Sequence, residues 1–295
     1  MSSTDSESSG DRPRARSDRA SSTTLDVVCC LLLVSAAVGV LAAASPPPEA
    51  HDARTADRAT TLLSTTTTTV DAPGDRRTHG TLAALLARAA VADFGVPGSG
   101  SVDTSGSPDA GNRFRAGVAN RTRTTFAGLD AVVNVTASYA PLPGSEASGE
   151  ATVGPAVPRD VDVSVARIRV PVGSGPNPGE VRGAAAEDGV QGVARTVADA
   201  TVPTVLAPSR TRWALRDPAT RSAVVSRYRT LGGALDVEPT GALAGGRVQR
   251  ANALLSRSLA DRYVAAVRSE YETPEEAAAA ARPRVVVLTV RTWSP

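Results

Sequence analysis

The longest apolar run lies near the N-terminus, where residues 27–44, VVCCLLLVSAAVGVLAAA, pass 18 positions without a charge. Coiled as a helix at 1.5 Å per residue, such a run covers about 27 Å, close to the ~30 Å hydrocarbon core of a bilayer. Arg12, Arg14, Arg16 and Arg19 precede it, whereas the next 16 residues carry only Arg54 and Arg58, a bias that favours a cytoplasmic N-terminus. The pattern predicts a disordered tail at 1–24, a transmembrane helix at 25–44 and an exported domain at 45–295. Ala42 and Ala44 form an A-x-A pattern, so cleavage of a secretory signal after Ala44 is the competing reading, and a buried core helix is a third. The prolines of SPPP at 45–48 end the apolar helix in any case.

Beyond the prolines the period of the pattern changes from element to element. Residues 49–63 suit a short helix, and the β-branched run 65–70 suits a strand leading into the Ala-Pro-Gly turn. In THGTLAALLARAAVADF, residues 78–94, Leu82, Leu85, Leu86, Ala89 and Ala90 share one helical face, with Thr81 as the N-cap. The Gly-, Ser- and Pro-rich segment 95–112 reads as a flexible loop. Residues 129–139 alternate apolar and polar positions, which is the period of a half-buried strand. Two further strands are expected at 149–157 and 161–172, and the apolar phase of the second shifts between Val165 and Ile168, so a bulge is expected there.

The C-terminal part turns helical. Val190, Val193 and Val197 recur at helical spacing before Pro203 ends the run, residues 218–231 form a second helix, and Val248, Leu255, Leu259, Tyr263, Val267 and Tyr271 make one stripe on a third. Thr273 caps a fourth short helix, with Pro274 at its first position and Glu275 and Glu276 at its positive end. The closing VVVLTV, residues 285–290, is expected to be a strand buried on both faces. Strands and helices segregate, so the expected class is α+β: an N-terminal transmembrane helix followed by an exported domain with an antiparallel sheet and packed helices.

Composition narrows the chemistry. All 32 basic residues are arginine. Without lysine the chain lacks the phosphate-binding Lys of a P-loop, the amine of pyridoxal and Schiff-base enzymes, and the Lys of an S-x-x-K nucleophile. The formal charge of +2 is too small to imply nucleic-acid binding. Both cysteines, Cys29 and Cys30, are neighbours inside the apolar run, so no disulfide framework staples the domain. His51 and His79 stand in no metal-ligand spacing, and no G-x-S-x-G elbow is present. Neither a cofactor nor a small-molecule substrate is implied, and an enzyme is not expected; an exported hydrolase is the remaining catalytic alternative.

Three sets of residues stand out. Arg210, Arg212, Arg216, Arg221, Arg227 and Arg229 crowd one stretch with Asp217 as the only acid, a candidate basic face for anionic headgroups, an acidic envelope surface or an acidic partner subunit. Arg113, Arg115, Arg121 and Arg123 form a smaller cluster. Asn120-Arg-Thr122 and Asn134-Val-Thr136 are glycosylation acceptor triplets, and strand alternation is expected to turn Asn134 to the polar face.

The opening SDRASSTTLDVVCCLLLVSAAVGVLAAA resembles the N-terminus of archaeal type IV pilin-like proteins: a short basic leader, small polar residues, one acid and an apolar helix. That resemblance implies processing on the cytoplasmic side and an acid that registers subunits in a filament. Cleavage between Ser21 and Ser22 makes Asp26 the fifth mature residue; cleavage after Ala20 makes it the sixth. The ending VRTWSP, the THGTLAALLARAAVAD segment and the Arg, Ala, Thr and Val bias resemble an uncharacterised family of haloarchaeal membrane proteins, thought of as accompanying pilus or secretion-type assemblies. The expected function is a non-enzymatic, single-pass envelope protein. It is N-terminus in and C-terminus out, and acts as a pilin-like or assembly accessory subunit. Its partners would be the bilayer and other assembly subunits, and the alternative is an anchored surface binding or structural module.

Overall fold

The computed structural model describes residues 50–72, 76–96 and 109–294. The expected tail, the expected transmembrane helix 25–44 and most of the expected loop fall outside the described residues, and with them Ala20, Ser21, Ser22 and Asp26. Among the described residues no helix is long and apolar enough to cross a membrane.

The chain opens with helix α1 (Ala50–Thr65) and a hairpin of β1 (Thr67–Ala72) and β2 (Arg76–Thr81), registered with Thr69 opposite His79. Thr81 ends the hairpin and caps helix α2 (Leu82–Asp93), its Oγ1 accepting from Ala84 N at 3.2 Å as its residue type predicts. Helix α3 (Asp109–Phe126) corrects the expected loop, whose last four residues are already helical. Phe114, Val118, Thr122 and Phe126 recur every fourth position on its buried side. Thr122 is tolerated there because its hydroxyl donates to Val118 O at 2.9 Å. Gly117, on the same helix, lets Val70 of the hairpin approach; an added Cβ would meet Val70 Cγ1 at 2.6 Å.

Four strands make the main sheet: β3 (Val132–Tyr139), β4 (Gly149–Val153), β5 (Ser164–Pro171) and β6 (Val285–Trp293), in the order β4-β3-β6-β5 and antiparallel throughout. Val135 pairs with Val153 and Val290, and Ala137 with Leu288, which in turn faces Ile168, so one face is an apolar surface of Val, Ala, Leu and Ile. Helices α1 and α2 pack on the sheet, α1 against β5 and β6, α2 against β3 and β4. The opposite face carries Thr136, Thr289, Arg167 and Arg169, and remains partly open to solvent.

Two expectations are corrected by this one-sided sheet. First, β6 is not buried on both faces, since Val286, Leu288 and Val290 are fully buried while Val285, Val287 and Thr289 are half-exposed. Second, β5 contains no bulge: its ladder with β6 is continuous from Ser164 to Pro171, and the earlier phase of Val161 and Val165 points outward, at 38% and 51% exposure. Only the Ile168 and Val170 phase meets the core. The strand expected at 149–157 stops at Val153, where Gly154 turns at φ 105° ahead of Pro155.

The C-terminal helices are α4 (Pro178–Val205), α5 (Pro208–Arg216), α6 (Pro218–Ala234), α7 (Thr240–Ala244), α8 (Val248–Glu270) and α9 (Pro274–Ala280), and Pro203, expected to end its helix, lies inside the last turn of α4. Asn177 and Glu180 close a capping box at the start of α4, and Thr273 caps α9 through Glu276 N. Helix α8 lies along α4 and buries the expected stripe of Val248, Leu255, Leu259, Tyr263 and Val267. One hydrophobic cluster joins these helices to α2 and the sheet. Tyr139 of β3 ties the two parts together: its ring meets Phe94 at 5.8 Å, and its hydroxyl donates to Pro283 O at 2.9 Å. Burial raises the pKa of both Tyr139 and Tyr263. A mixed helix and antiparallel-sheet fold, α+β, is therefore observed.

The two phases of the sheet predict opposite mutational costs. Leu288→Ala empties a fully buried central position and should lower unfolding free energy by about 2–5 kcal/mol. Val165→Ala on the open face should change it by less than about 0.5 kcal/mol. Chemical denaturation of both variants checks the assignment, and a large loss at Val165 would contradict it.

Candidate functional site

Position fixes the character of the C-terminal end of α2. A helix C-terminus carries unpaired carbonyls and negative partial charge, which attract cations and disfavour an acid. Here the last turn bears Asp93, so the end is doubly negative. Arg115 of α3 answers it with an Nη1 hydrogen bond to Asp93 Oδ1, while the backbone N–H of Glu150 on β4 donates to Asp93 Oδ2 at 3.2 Å. Arg227 of α6 donates through Nη2 to Val91 O at 3.2 Å, sharing that acceptor with the Phe94 N–H. Gly149 makes the arrangement possible, because a Cβ there would meet Ala90 O at 2.2 Å and hold β4 off the helix end.

More arginine converges here than the helix end needs. Burial lowers the Arg227 guanidinium to about 10, with Arg115 pushing the same way and Asp93 and Tyr228 opposing. Burial also lowers Arg88, and Arg210 of α5 adds to the shift by like-charge repulsion. Arg115 contributes a further unsatisfied group, since its buried Nε has no hydrogen-bond partner. Two guanidiniums, Arg115 and Arg227, thus meet at the end of α2 beside the Asp93 carboxylate, and Arg88 with Arg210 forms a separate like-charge pair. Such a set favours a carboxylate or phosphate, which guanidinium forks hold with paired hydrogen bonds.

The arrangement sorts the basic residues that the sequence put forward. Arg227 joins the site, whereas Arg210, Arg212, Arg216, Arg221 and Arg229 are exposed on α5 and α6. The six are therefore not one face, because α6 turns Arg227 inward while its neighbours along the chain point out. Of the smaller cluster, Arg115 joins the site, and Arg113, Arg121 and Arg123 are exposed. Arg88 and Asp93 were missed, although Arg88 is the one charge inside the apolar LAALLARAAVA run.

The glycosylation triplets fare differently. Asn134 lies opposite Val133 and Val135 as alternation requires, but it is 4% exposed and its Nδ2 donates to Pro155 O at 2.9 Å, which corrects the expected accessible acceptor. Asn120 is exposed on α3, with Thr122 of its triplet buried in the same helix.

Other concavities offer less chemistry. Phe94, Leu206, Leu231, Leu235 and Leu255 line a cavity of about 10 Å³ that is wholly apolar and too small for a substrate. A surface groove of about 530 Å³ between Leu235 and Ala265 carries two acids and two arginines, with Arg262 and Asp236 paired at 3.5 Å. Among the described residues no group of three His, Cys, Asp or Glu side chains could hold a metal.

If Asp93 organises the helix end while Arg227 is surplus to it, their removal should differ. Asp93→Ala strands Arg115 and the Glu150 N–H and should cost about 1–2 kcal/mol of stability. Arg227→Met keeps the aliphatic stem and removes a desolvated charge, and should change stability by less than about 1 kcal/mol. Thermal denaturation of the two variants decides this, and a larger loss for Arg227→Met would make that residue structural.

Comparison with known proteins adds a family but no activity. No curated protein and no solved structure matches the chain. A family profile matches residues 25–293, taking in both the apolar stretch and the folded domain. On that match the chain belongs to the family of unknown function DUF7284.

Proposed function

We propose that this chain is a non-enzymatic, single-pass envelope protein whose exported domain recognises an acidic protein partner through the arginines at the end of α2. The observation that carries the reading is the meeting of Arg115 of α3 and Arg227 of α6 at the single carboxylate of Asp93, where Arg227 is desolvated and Arg115 keeps an unpartnered buried Nε. Desolvated like charges are held together at a cost, and an incoming carboxylate relieves it. Support for the anchor comes from the uncharged run 27–44, the arginines before it, and a family match that begins at Leu25.

Polyglutamate is a direct probe of the site. Titrated into the detergent-solubilised full chain, it should bind in a salt-sensitive manner, and Arg115→Gln combined with Arg227→Met should weaken binding at least about tenfold. An equal loss from Arg221→Glu combined with Arg229→Glu would mean that general surface charge, not this site, does the binding.

A second reading is favoured by one residue. Asp26 stands at the cytoplasmic edge of the apolar run, where an acid calls for a partner, and a pilin-like subunit would use it to register against the next copy. Asp26→Ala should then leave the chain in the membrane fraction while reducing cross-linking between neighbouring copies or assembly subunits. Unchanged cross-linking would leave the carboxylate at the interface with no register role.

A further inference from the structure

Helix α5 is seated by one side only. Thr211 is buried and Leu215 packs on the core, while Ser209, Arg212, Trp213 and Arg216 are exposed at spacings of three and four residues, which is one continuous helical face. Trp213 is 60% exposed. Every other aromatic residue among the described ones is buried or half-buried, in a chain with only 3% aromatics, so leaving this indole outside is a costly placement. Arg216 lies over the indole at 5.9 Å. The adjoining acid, Asp217, is engaged as the cap of α6, its Oδ1 accepting from Ala219 N at 3.0 Å.

We infer that this face of α5 docks on the anionic lipid headgroups of the membrane in which the chain is anchored. An indole flanked by guanidiniums suits the headgroup layer, where the ring meets apolar atoms and the arginines meet phosphates. A protein interface of the typical ~800 Å² per partner needs a matching outline, whereas a lipid surface is continuous and needs none. Docking rests on the proposed anchor but uses residues separate from the arginine site at the end of α2.

The test uses the full chain in nanodiscs of phosphatidylcholine alone or mixed with phosphatidylglycerol, reading acrylamide quenching of tryptophan emission. Subtracting the Trp213→Phe variant removes the contribution of buried Trp293. Trp213 quenching should fall severalfold in the anionic discs, recover at high salt, and recover in Arg212→Glu combined with Arg216→Glu. Equal quenching in the two disc types would overturn docking, as would protection that survives the double reversal. Failure of the chain to co-elute with discs would overturn the anchor instead, and sedimentation with phosphatidylglycerol vesicles would then decide docking alone: binding lost in the double reversal supports it, and no binding overturns it.

Discussion

Everything in the folded domain depends on the main sheet having one apolar face. The columns through Val135, Val290 and Ala166, and through Ala137, Leu288 and Ile168, place small and branched side chains in register across β4, β3, β6 and β5. With so few aromatics available, burial relies on close approach of Ala- and Val-rich elements rather than on large side chains. That constraint sets α1 and α2 onto the sheet and leaves the other face to Thr and Arg. The seating of α2 then places its negative end beside β4, α3 and α6. The arginine site is a consequence of where that helix ends.

The fold was legible wherever a pattern was local and apolar. Thr81 and Thr273 cap the helices they were expected to cap, and the Val248 to Val267 stripe is buried as its spacing requires. Helix α3 escaped notice because its buried side is Phe114, Val118, Thr122 and Phe126, one apolar residue per turn at best, with threonine hidden by its own hydroxyl bond. Strand β2, RRTHGT, has no apolar residue at all and exists through its ladder with β1. The errors on β5 and β6 share one cause: a run of valines states that a strand is present, but not how many of its faces another layer covers.

The site was only partly legible for a related reason. A linear cluster of arginines records composition, while the side that each one faces depends on helix phase and on what lies opposite. Arg227 and Arg229 are two positions apart on α6, yet one reaches Val91 O and the other faces solvent. Arg88 and Asp93 were inconspicuous in a helix read for its leucines, and they acquire meaning only when α3, α5 and α6 bring further charges to them. The surplus of positive charge at that helix end is what sets it apart from an ordinary cap.

These features describe one working unit only if the apolar stretch stays joined to the domain it precedes. N-terminal sequencing of the native protein, isolated from the membrane fraction, tests that most directly. A chain that begins at or before Ser22 retains residues 25–44 and agrees with an anchored binding module. A chain that begins at Ser45 has lost the stretch as a signal, and would contradict the account at its base.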